Sequence, residues 1–371
     1  MRTAVVVALL GLGAFAVAAG LVLQLHTYPL LAKLQHDIDS VTVSEGEGVT
    51  AVVYPPGGGL PEVRHNLRLT ATTHVEGDLA APEVKEDGDV TVWKRATIVK
   101  EDSDKLVLSA EVRKICLDRR TGEAVAPCYG EFYETEQGKR VTAEGPQLLQ
   151  PGLNFVFPFD TEQRDHRWYD TVLKRPVDIH FAGEQLLQGL DVYRFTHTIP
   201  QTALDRFAVP GSLVGSPEPS VDVTQYYGVS RTLLVEPTTG AVLSVREDIR
   251  QELRTDTQRE GEGTPVFAGE LRLTNASVTS NVDQVRQNLP KLFVITVLPT
   301  VLWVAGAALV AIGLVLLLVW RRGLVAGALA LVIGACLAGA ITYGVTDASD
   351  PDDSLDLKNV VSSSNVDYGL R

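Results

Sequence analysis

Three long apolar stretches without a charged residue constrain this 371-residue chain more than any other feature. They are Ala4–Leu23, Phe293–Trp320 and Leu324–Tyr343. An α-helix needs about 20 apolar residues to cross about 30 Å of bilayer hydrocarbon, so each stretch is long enough to span a membrane. Only three residues, Arg321–Gly323, separate the second stretch from the third. The sequence therefore predicts three transmembrane helices, the last two forming an antiparallel hairpin.

The basic residues that flank these stretches predict the orientation of the chain. Arg2 precedes the first stretch, and Arg321 and Arg322 occupy the tip of the hairpin. Because short cytoplasmic segments are enriched in Lys and Arg, both sites are assigned to the cytoplasm. The sequence thus predicts a protein of the cytoplasmic membrane with its N-terminus inside and most of the chain extracytoplasmic.

A cleaved signal peptide is the alternative interpretation of the first stretch. Ala16-Val17-Ala18 resembles a small-residue cleavage site. The apolar run is longer than the usual signal-peptide core of about 7–15 residues, which favours an uncleaved anchor.

The stretches divide the chain into five predicted regions. These are an N-terminal transmembrane anchor (1–23), an extracytoplasmic β-rich domain (24–291), a second transmembrane helix (292–320), the hairpin tip with the third helix (321–345), and an acidic, flexible tail (346–371).

Small residues in the third stretch recur at spacings of three and four. They are Gly323, Gly327, Ala330, Gly334 and Ala338. This spacing places them on one helical face, where small side chains let helix backbones approach closely in lipid. We expect Gly323, Gly327 and Gly334 to mediate helix packing, although general Gly and Ala richness is an alternative explanation.

The net charge of −13 argues against one class of partner. Nucleic-acid binding depends on neutralising phosphates with basic side chains, and this chain has 46 Asp and Glu against 33 Lys and Arg. We expect membrane lipids, and not nucleic acid, as partners.

The extracytoplasmic region has the pattern of antiparallel strands. Asn66–Val75, Asp89–Val99 and Lys105–Leu117 are rich in Val, Ile, Thr and Leu, and turn-like acidic segments separate them. Arg231–Val235 and Ala241–Arg246 flank a Pro237–Gly240 turn. The predicted fold is membrane-anchored and mainly β, with a large antiparallel sheet or barrel, few helices and three transmembrane helices.

Two cysteines lie in this region. Cys116 and Cys128 flank a segment that is able to turn the chain, and an extracytoplasmic location is oxidising. The sequence therefore predicts a Cys116–Cys128 disulfide, with two unpaired thiols as the alternative.

Familiar catalytic spacings are absent from the sequence. It contains no GxSxG, HExxH or P-loop pattern, and its histidines do not form pairs at helical spacing. The densest polar segment, Asp160–Asp170, offers Asp165 and His166 as an acid–base pair. A solvated loop with alternating charges is the preferred interpretation. We therefore expect a protein that is not an enzyme, with no cofactor and no metal site.

Several segments carry a family resemblance. They are Pro151–Thr161 (PGLNFVFPFDT), Phe181–Glu184, Gly189–Phe195, Arg231–Gly240 (RTLLVEPTTG) and Arg246–Asp248. Together with the N-terminal anchor and the later span, they resemble the actinobacterial envelope family known as PorA-family porins, over roughly residues 1–320. This resemblance implies a channel in the cell envelope and supplies no catalytic residues.

The predicted topology leaves four functions open, one of which is a structural or assembly partner that uses the small-residue face of the third span. A β-rich domain between two spans also looks like the class B scavenger receptors, whose domain encloses a lipid tunnel. The leading hypothesis is a non-enzymatic membrane protein that binds or transfers a hydrophobic envelope lipid, with an alternating apolar set as lining. That set is Leu153, Phe155, Phe157 and Phe159. Its alternative role is ordinary core packing. The alternative functions are a porin-like channel and an extracytoplasmic envelope enzyme.

Overall fold

The structure, a computed structural model, describes residues 2–28, 32–55, 59–135, 139–142 and 148–320. The chain divides into two compact units. The β-domain is Leu34–Val285, and the described residues before and after it, within 2–33 and 286–320, belong to the second unit, called here the helical unit.

The β-domain is built from twelve strands in its described part. They are β1 (Asp39–Val53), β2 (Glu62–Gly77), β3 (Val90–Glu101), β4 (Val107–Asp118), β5 (Phe132–Thr135), β6 (Arg140–Thr142), β7 (His166–Asp170), β8 (Arg175–Leu187), β9 (Leu190–Pro210), β10 (Ser220–Val235), β11 (Val242–Arg254) and β12 (Thr264–Leu273). The helices of the chain are α1 (Arg2–Val22), which continues as a π-helical turn (Leu23–Thr27), then the short α2 (Pro82–Glu86) and the long α3 (Asn275–Trp320); a 3₁₀ turn covers Gly211–Val214.

All twelve strands belong to one antiparallel sheet. Its order is β6-β5-β4-β3-β2-β1-β12-β11-β10-β9-β8-β7. Successive strands pair as hairpins on each side, and β1 pairs with β12 in the middle. The predicted mainly-β fold, with a large antiparallel sheet and few helices, is confirmed.

Acidic side chains stabilise two of the turns that the sequence predicts. Glu101 Oε2 accepts hydrogen bonds from the backbone N–H groups of Ser103 and Asp104, both at 2.9 Å. The Ser103 hydroxyl and these amides lower the pKa of Glu101 to about 2. In the same way, Glu236 accepts from the N–H groups of Thr238 and Thr239, at 3.0 and 2.8 Å. Such bonds satisfy backbone donors that no strand partner reaches.

The segment around Leu153 joins the two halves of the sheet. Leu117 on β4 pairs with Ala124, Glu123 pairs with Leu153, and Leu153 pairs with Trp168 on β7. Leu153 donates its N–H to the Arg167 carbonyl at 2.9 Å, and its own carbonyl accepts from Tyr169 at 2.8 Å. A continuous series of backbone pairs therefore connects β4 to β7 and closes the sheet into a ring at this level.

Apolar side chains on the inner faces of the strands form several buried clusters. The largest lies beside the closing segment and contains Leu153, Phe157, Ile179, Phe195, Leu233 and Val235. Others surround Leu69 on β2 and Ile115 on β4. Burying this apolar area from water is the main force that holds the sheet closed.

Cys116 and Cys128 form the predicted disulfide, with their Cα atoms 5.6 Å apart. The bond ties the end of β4 to the loop that follows it, and both residues are buried against Val92 and Ala81.

Replacing both cysteines with Ser is expected to lower the free energy of unfolding by about 3 kcal/mol. The disulfide spans 12 residues, and a closed loop of this size restricts the unfolded chain by about that amount. Urea unfolding of the detergent-solubilised protein measures the change. Reducing agent should lower the midpoint of the wild type and leave the double variant unaffected, whereas equal midpoints for both proteins would contradict the prediction.

The helical unit contains two helices that are long and apolar enough to cross a membrane. They cover Ala4–Thr27, within α1 and its π-helical continuation, and Val297–Val319, within α3. The third predicted helix, with the packing residues Gly323, Gly327 and Gly334, lies outside the described residues.

Glycines bring α1 and α3 into close contact. A Cβ atom added to Gly13 would lie 2.8 Å from the carbonyl oxygen of Gly306, and one added to Gly306 would lie 2.6 Å from that of Gly13. Seven residues along each helix, Gly20 lies equally close to the Pro299 carbonyl oxygen, and Gly313 packs against the Leu10 side chain. Small-residue packing thus links the first and second spans, a pairing that the sequence analysis did not foresee.

Candidate functional site

A polar cluster occupies the interior of the β-domain, where β7 faces β9, β10 and β11. Asp170 is fully buried, and its Oδ2 accepts hydrogen bonds from Tyr227 at 3.1 Å and from two nitrogens of Arg231, each at 3.4 Å. Its Oδ1 accepts from the backbone N–H groups of Val172 and Leu173. Asp170 therefore anchors the β7–β8 turn to the neighbouring strands.

Arg231 lies at the centre of this cluster. It directly opposes Glu247 on β11 and His197 on β9, and it donates to both side chains. Burial disfavours its charge, but the attraction of Glu247, Tyr227 and Asp170 raises the pKa of Arg231 above its ordinary value. Burial and the Arg231 charge lower the pKa of His197 to about 4, so its ring is neutral at neutral pH.

Two further arginines extend from the opposite half of the sheet. Arg95 on β3 and Arg113 on β4 are direct cross-strand partners. Arg113 is 2% exposed, donates to the Asn154 side-chain oxygen at 2.9 Å and lies over the Phe155 ring. Burial and the neighbouring Arg95 charge lower the pKa of Arg113 to about 9, so it remains protonated at neutral pH.

These groups line one cavity of about 200 Å³. Its charged lining consists of Arg95, Arg113, Arg231 and Glu247; Asn154, Tyr169 and Tyr227 also line it. Apolar side chains, among them Trp168, Leu233 and Ile249, complete the lining. Charged groups that face a cavity favour a polar or ionic solute, because an alkyl chain there would leave them without partners.

Two backbone hydrogen bonds connect the most distinctive segments of the sequence. The N–H of Phe157 donates to the Gly240 carbonyl at 2.8 Å, and that of Thr161 donates to the Pro237 carbonyl at 2.7 Å. Gly240 has a φ of +70°, which favours glycine. The FPFDT segment therefore packs directly on the VEPTTG turn.

Comparison with known proteins assigns the family. Residues 5–315 match the family described as porin PorA. The chain belongs to the porin PorA family. The matched range includes the whole sheet and most of both apolar helical segments, and the resemblance predicted from the sequence is confirmed.

Two relatives carry the name porin PorA. The protein of Corynebacterium amycolatum is 25% identical over 199 residues, which cover 45% of this chain and 51% of the relative. The protein of Corynebacterium resistens is 24% identical over 310 residues, covering 65% of this chain and 75% of the relative. The chain thus spans about half the length of the first relative and three quarters of the second.

The predicted ligand-lining residues of this family member divide between two core clusters. Leu153 and Phe157 are fully buried with Phe195, whereas Phe155 and Phe159 pack near Trp93. The cavity described above is lined by their neighbour Asn154 and by none of the four. Their contact with a lipid stays a prediction.

The proposed acid–base pair is not brought together. Asp165 instead accepts from His180 at 2.7 Å, and both side chains are more than half exposed. His166 is 6% exposed and packs edge-on against Phe157, and burial lowers its pKa. The interpretation of Asp160–Asp170 as a solvated loop was wrong for its second half, because His166–Asp170 form β7.

A group with the geometry of a metal site also lies in the β-domain. Glu83, Cys116 and Cys128 place one ligand atom each within 4.8 Å of one another. Both sulfur atoms are bonded in the disulfide, so they are not free to act as thiolate ligands.

Sequence reasoning missed the arginines of the cavity. Arg231 and Glu247 were present in segments that carry the family resemblance, but their pairing was not recognised. A charged residue in the middle of a predicted strand is a sequence signal that could have indicated a polar interior. Arg95 and Arg113 both lie in such positions.

Proposed function

We propose that this chain is a porin-like channel protein of the cell envelope and not an enzyme. Its apolar helices cross the cytoplasmic membrane, with the N-terminus inside and the β-domain extracytoplasmic. The family match over residues 5–315 carries the proposal, because it includes the membrane helices and the β-domain together. Membrane lipids surround the helices, and the net charge of −13 disfavours nucleic acid as a partner.

The helices, and not the strands, are the membrane-crossing elements of this proposal. A membrane β-barrel needs an apolar band on its lipid-facing surface. The sheet instead carries exposed ion pairs along several strands. Examples are Arg64–Glu62, Lys94–Glu76, Arg167–Asp178, Arg206–Asp256 and Arg246–Glu270. Large exposed apolar side chains are concentrated on α1 and α3, including Leu12, Leu25, Val301 and Leu318.

The close packing of α1 and α3 argues against a conducting path between these two helices. At Gly13 and Gly306 the two backbones are too close to admit even a Cβ atom. No water-filled path runs between two helices in such contact. We therefore propose that conduction requires several copies of the chain, with α1 and α3 of each copy packed as one unit.

Purified protein in a planar bilayer tests the proposal. The wild type is expected to produce reproducible unitary currents, with an activity that rises more steeply than linearly with protein concentration. Bilayers that show no currents above those of a detergent blank would overturn the porin-like function.

Gly306→Leu is expected to reduce channel activity at least tenfold, because the new side chain would separate α1 from α3. Ala308→Leu, at an exposed position of the same helix, is the matched control and should retain activity. Equal activity of the two variants would contradict the role assigned to the glycine contact. The porin-like function itself is tested separately, by the currents of the wild type.

The interior of the β-domain supports a polar solute over a lipid. The cavity beside its core has a mixed lining, in which three arginines, a glutamate and two tyrosines lie next to apolar side chains. Lipid binding or transfer stays a hypothesis, and the variant at Phe157 described in the Discussion tests it.

A further inference from the structure

We propose that the interior cavity of the β-domain binds a phosphate-type oxyanion, held by Arg95 and Arg113. Both arginines line the cavity. The inference concerns the β-domain by itself, and it holds whether or not the helices conduct.

The first argument is the placement of two like charges. Arg95 and Arg113 are direct partners on adjacent antiparallel strands. Side chains in this relation have Cβ atoms about 4.5–5.5 Å apart, and like charges there destabilise the sheet. Two positive groups placed together inside a domain therefore require a negative group nearby.

The second argument is that no side chain in the described part of the chain accepts a hydrogen bond from Arg95, although Glu111 and Glu247 attract its charge from a distance. Arg95 forms no hydrogen bond or ion pair there, and its Nε is buried without an acceptor. A guanidinium has five N–H donors, so Arg95 presents an unused set of donors at the cavity wall.

Arg113 is only partly satisfied. One of its nitrogens donates to the neutral Asn154 side chain, and its buried Nε has no hydrogen-bond acceptor. The nearest carboxylate oxygen, on Glu111, is 3.7 Å from that Nε. This distance exceeds that of a normal hydrogen bond, so donors remain available on Arg113 as well.

The carboxylates across the cavity are already engaged. Glu247 pairs with Arg231, and Asp170 binds Arg231, Tyr227 and two backbone N–H groups. Glu247 attracts the Arg95 charge from a distance, but neither carboxylate accepts a hydrogen bond from Arg95 or Arg113. A bound anion would supply the missing acceptors.

The size and donor geometry of the cavity select the class of anion. Its volume is about 200 Å³, and a water molecule needs only about 10–15 Å³ on the same measure. Two guanidinium forks match the several oxygens of a phosphate group, because each fork donates two parallel hydrogen bonds. The ligand is thus a compact oxyanion, either free phosphate or the phosphate of a small ester.

Thermal unfolding of the detergent-solubilised full chain tests the site, with inorganic phosphate as the probe and sodium chloride of equal ionic strength as reference. The wild type is expected to show a saturable rise in melting temperature of several degrees that chloride does not reproduce. The absence of any rise beyond chloride would overturn the proposal.

Single arginine substitutions test whether phosphate binds at Arg95. Arg95→Gln should fold with an unchanged or higher melting temperature, because it removes a like-charge contact, and should weaken apparent phosphate affinity at least tenfold. Arg250→Gln, at an exposed arginine of β11, is the matched control and should change the affinity less than twofold. Equal losses in both variants would overturn the assignment.

A second variant separates charge from geometry. Arg95→Lys keeps the charge without the planar fork, so it should retain weaker phosphate stabilisation. A complete loss of folding in both Arg95 variants would overturn the proposal by showing a structural role.

Glycerol 3-phosphate, tested beside inorganic phosphate, identifies the source of the phosphate group. Tighter binding of the ester supports a phosphorylated organic ligand, and tighter binding of phosphate supports the free anion.

Discussion

Asp170→Ala is expected to destabilise the β-domain by about 3–5 kcal/mol. The carboxylate is fully buried, and it holds Arg231, Tyr227 and two backbone N–H groups. Glu247 would remain beside Arg231, but the Tyr227 hydroxyl and the two backbone N–H groups would lose their acceptor, and breaking a buried ion pair of this kind costs about that amount. The loss would be a large part of the stability of a typical domain.

Urea unfolding of the full chain, followed by the fluorescence of Trp93 and Trp168 in the β-domain, measures this effect. Asp165→Ala is the matched control, since Asp165 contacts His180 in an exposed pair that contributes little. We expect its midpoint to remain close to that of the wild type. A small effect at Asp170 would contradict the role of this carboxylate as the anchor of the cluster.

Phe157→Ala is expected to lower stability by about 3–5 kcal/mol as well. The Phe157 ring is fully buried, stacks on Phe195 with centroids 4.5 Å apart, and contacts Trp168 and His166. Truncating such a ring removes its transfer free energy and leaves a cavity in the core. The same segment closes the sheet, so the loss would also loosen the joint between β4 and β7.

This variant also separates core packing from lipid lining. If Phe157 lines a lipid site, Phe157→Ala should reduce co-purifying lipid, measured by native mass spectrometry, with little loss of stability. If it packs the core, stability should fall whether or not lipid is present. Phe207→Ala, at a 40% exposed position on β9, is the control and should change both measurements little.

The sequence predicted the elements whose causes are local. The strands around Glu101–Asp104 and Pro237–Gly240 were found because turn residues separate runs of β-branched residues, and in the structure Glu101 and Glu236 bind the turn backbones. The disulfide was predicted because its cysteines are close in sequence and share a compartment. Each of these features depends on residues within about a dozen positions of one another.

The polar interior was not predicted, because no local pattern contains it. Asp170 and Arg231 are 61 residues apart in the chain, and Arg113 and Asn154 are 41 apart. From the sequence, Asp170 was interpreted as part of a solvated charged loop, but in the structure it is fully buried. The sequence does not show whether a charged residue is buried, because its burial depends on which distant strands pair around it.

By itself, the sequence determined two apolar helices long enough to span a membrane, the mainly-β class and the family. Apolar length decides membrane insertion, and strand periodicity and turn residues act over a few positions. Only the tertiary structure decided that β1 pairs with β12, that Leu153 closes the sheet, and that Arg95 faces the same cavity as Arg231. The physical reason is register: a shift of one residue moves every side chain of a strand to the opposite face, and pairing between distant strands sets that register.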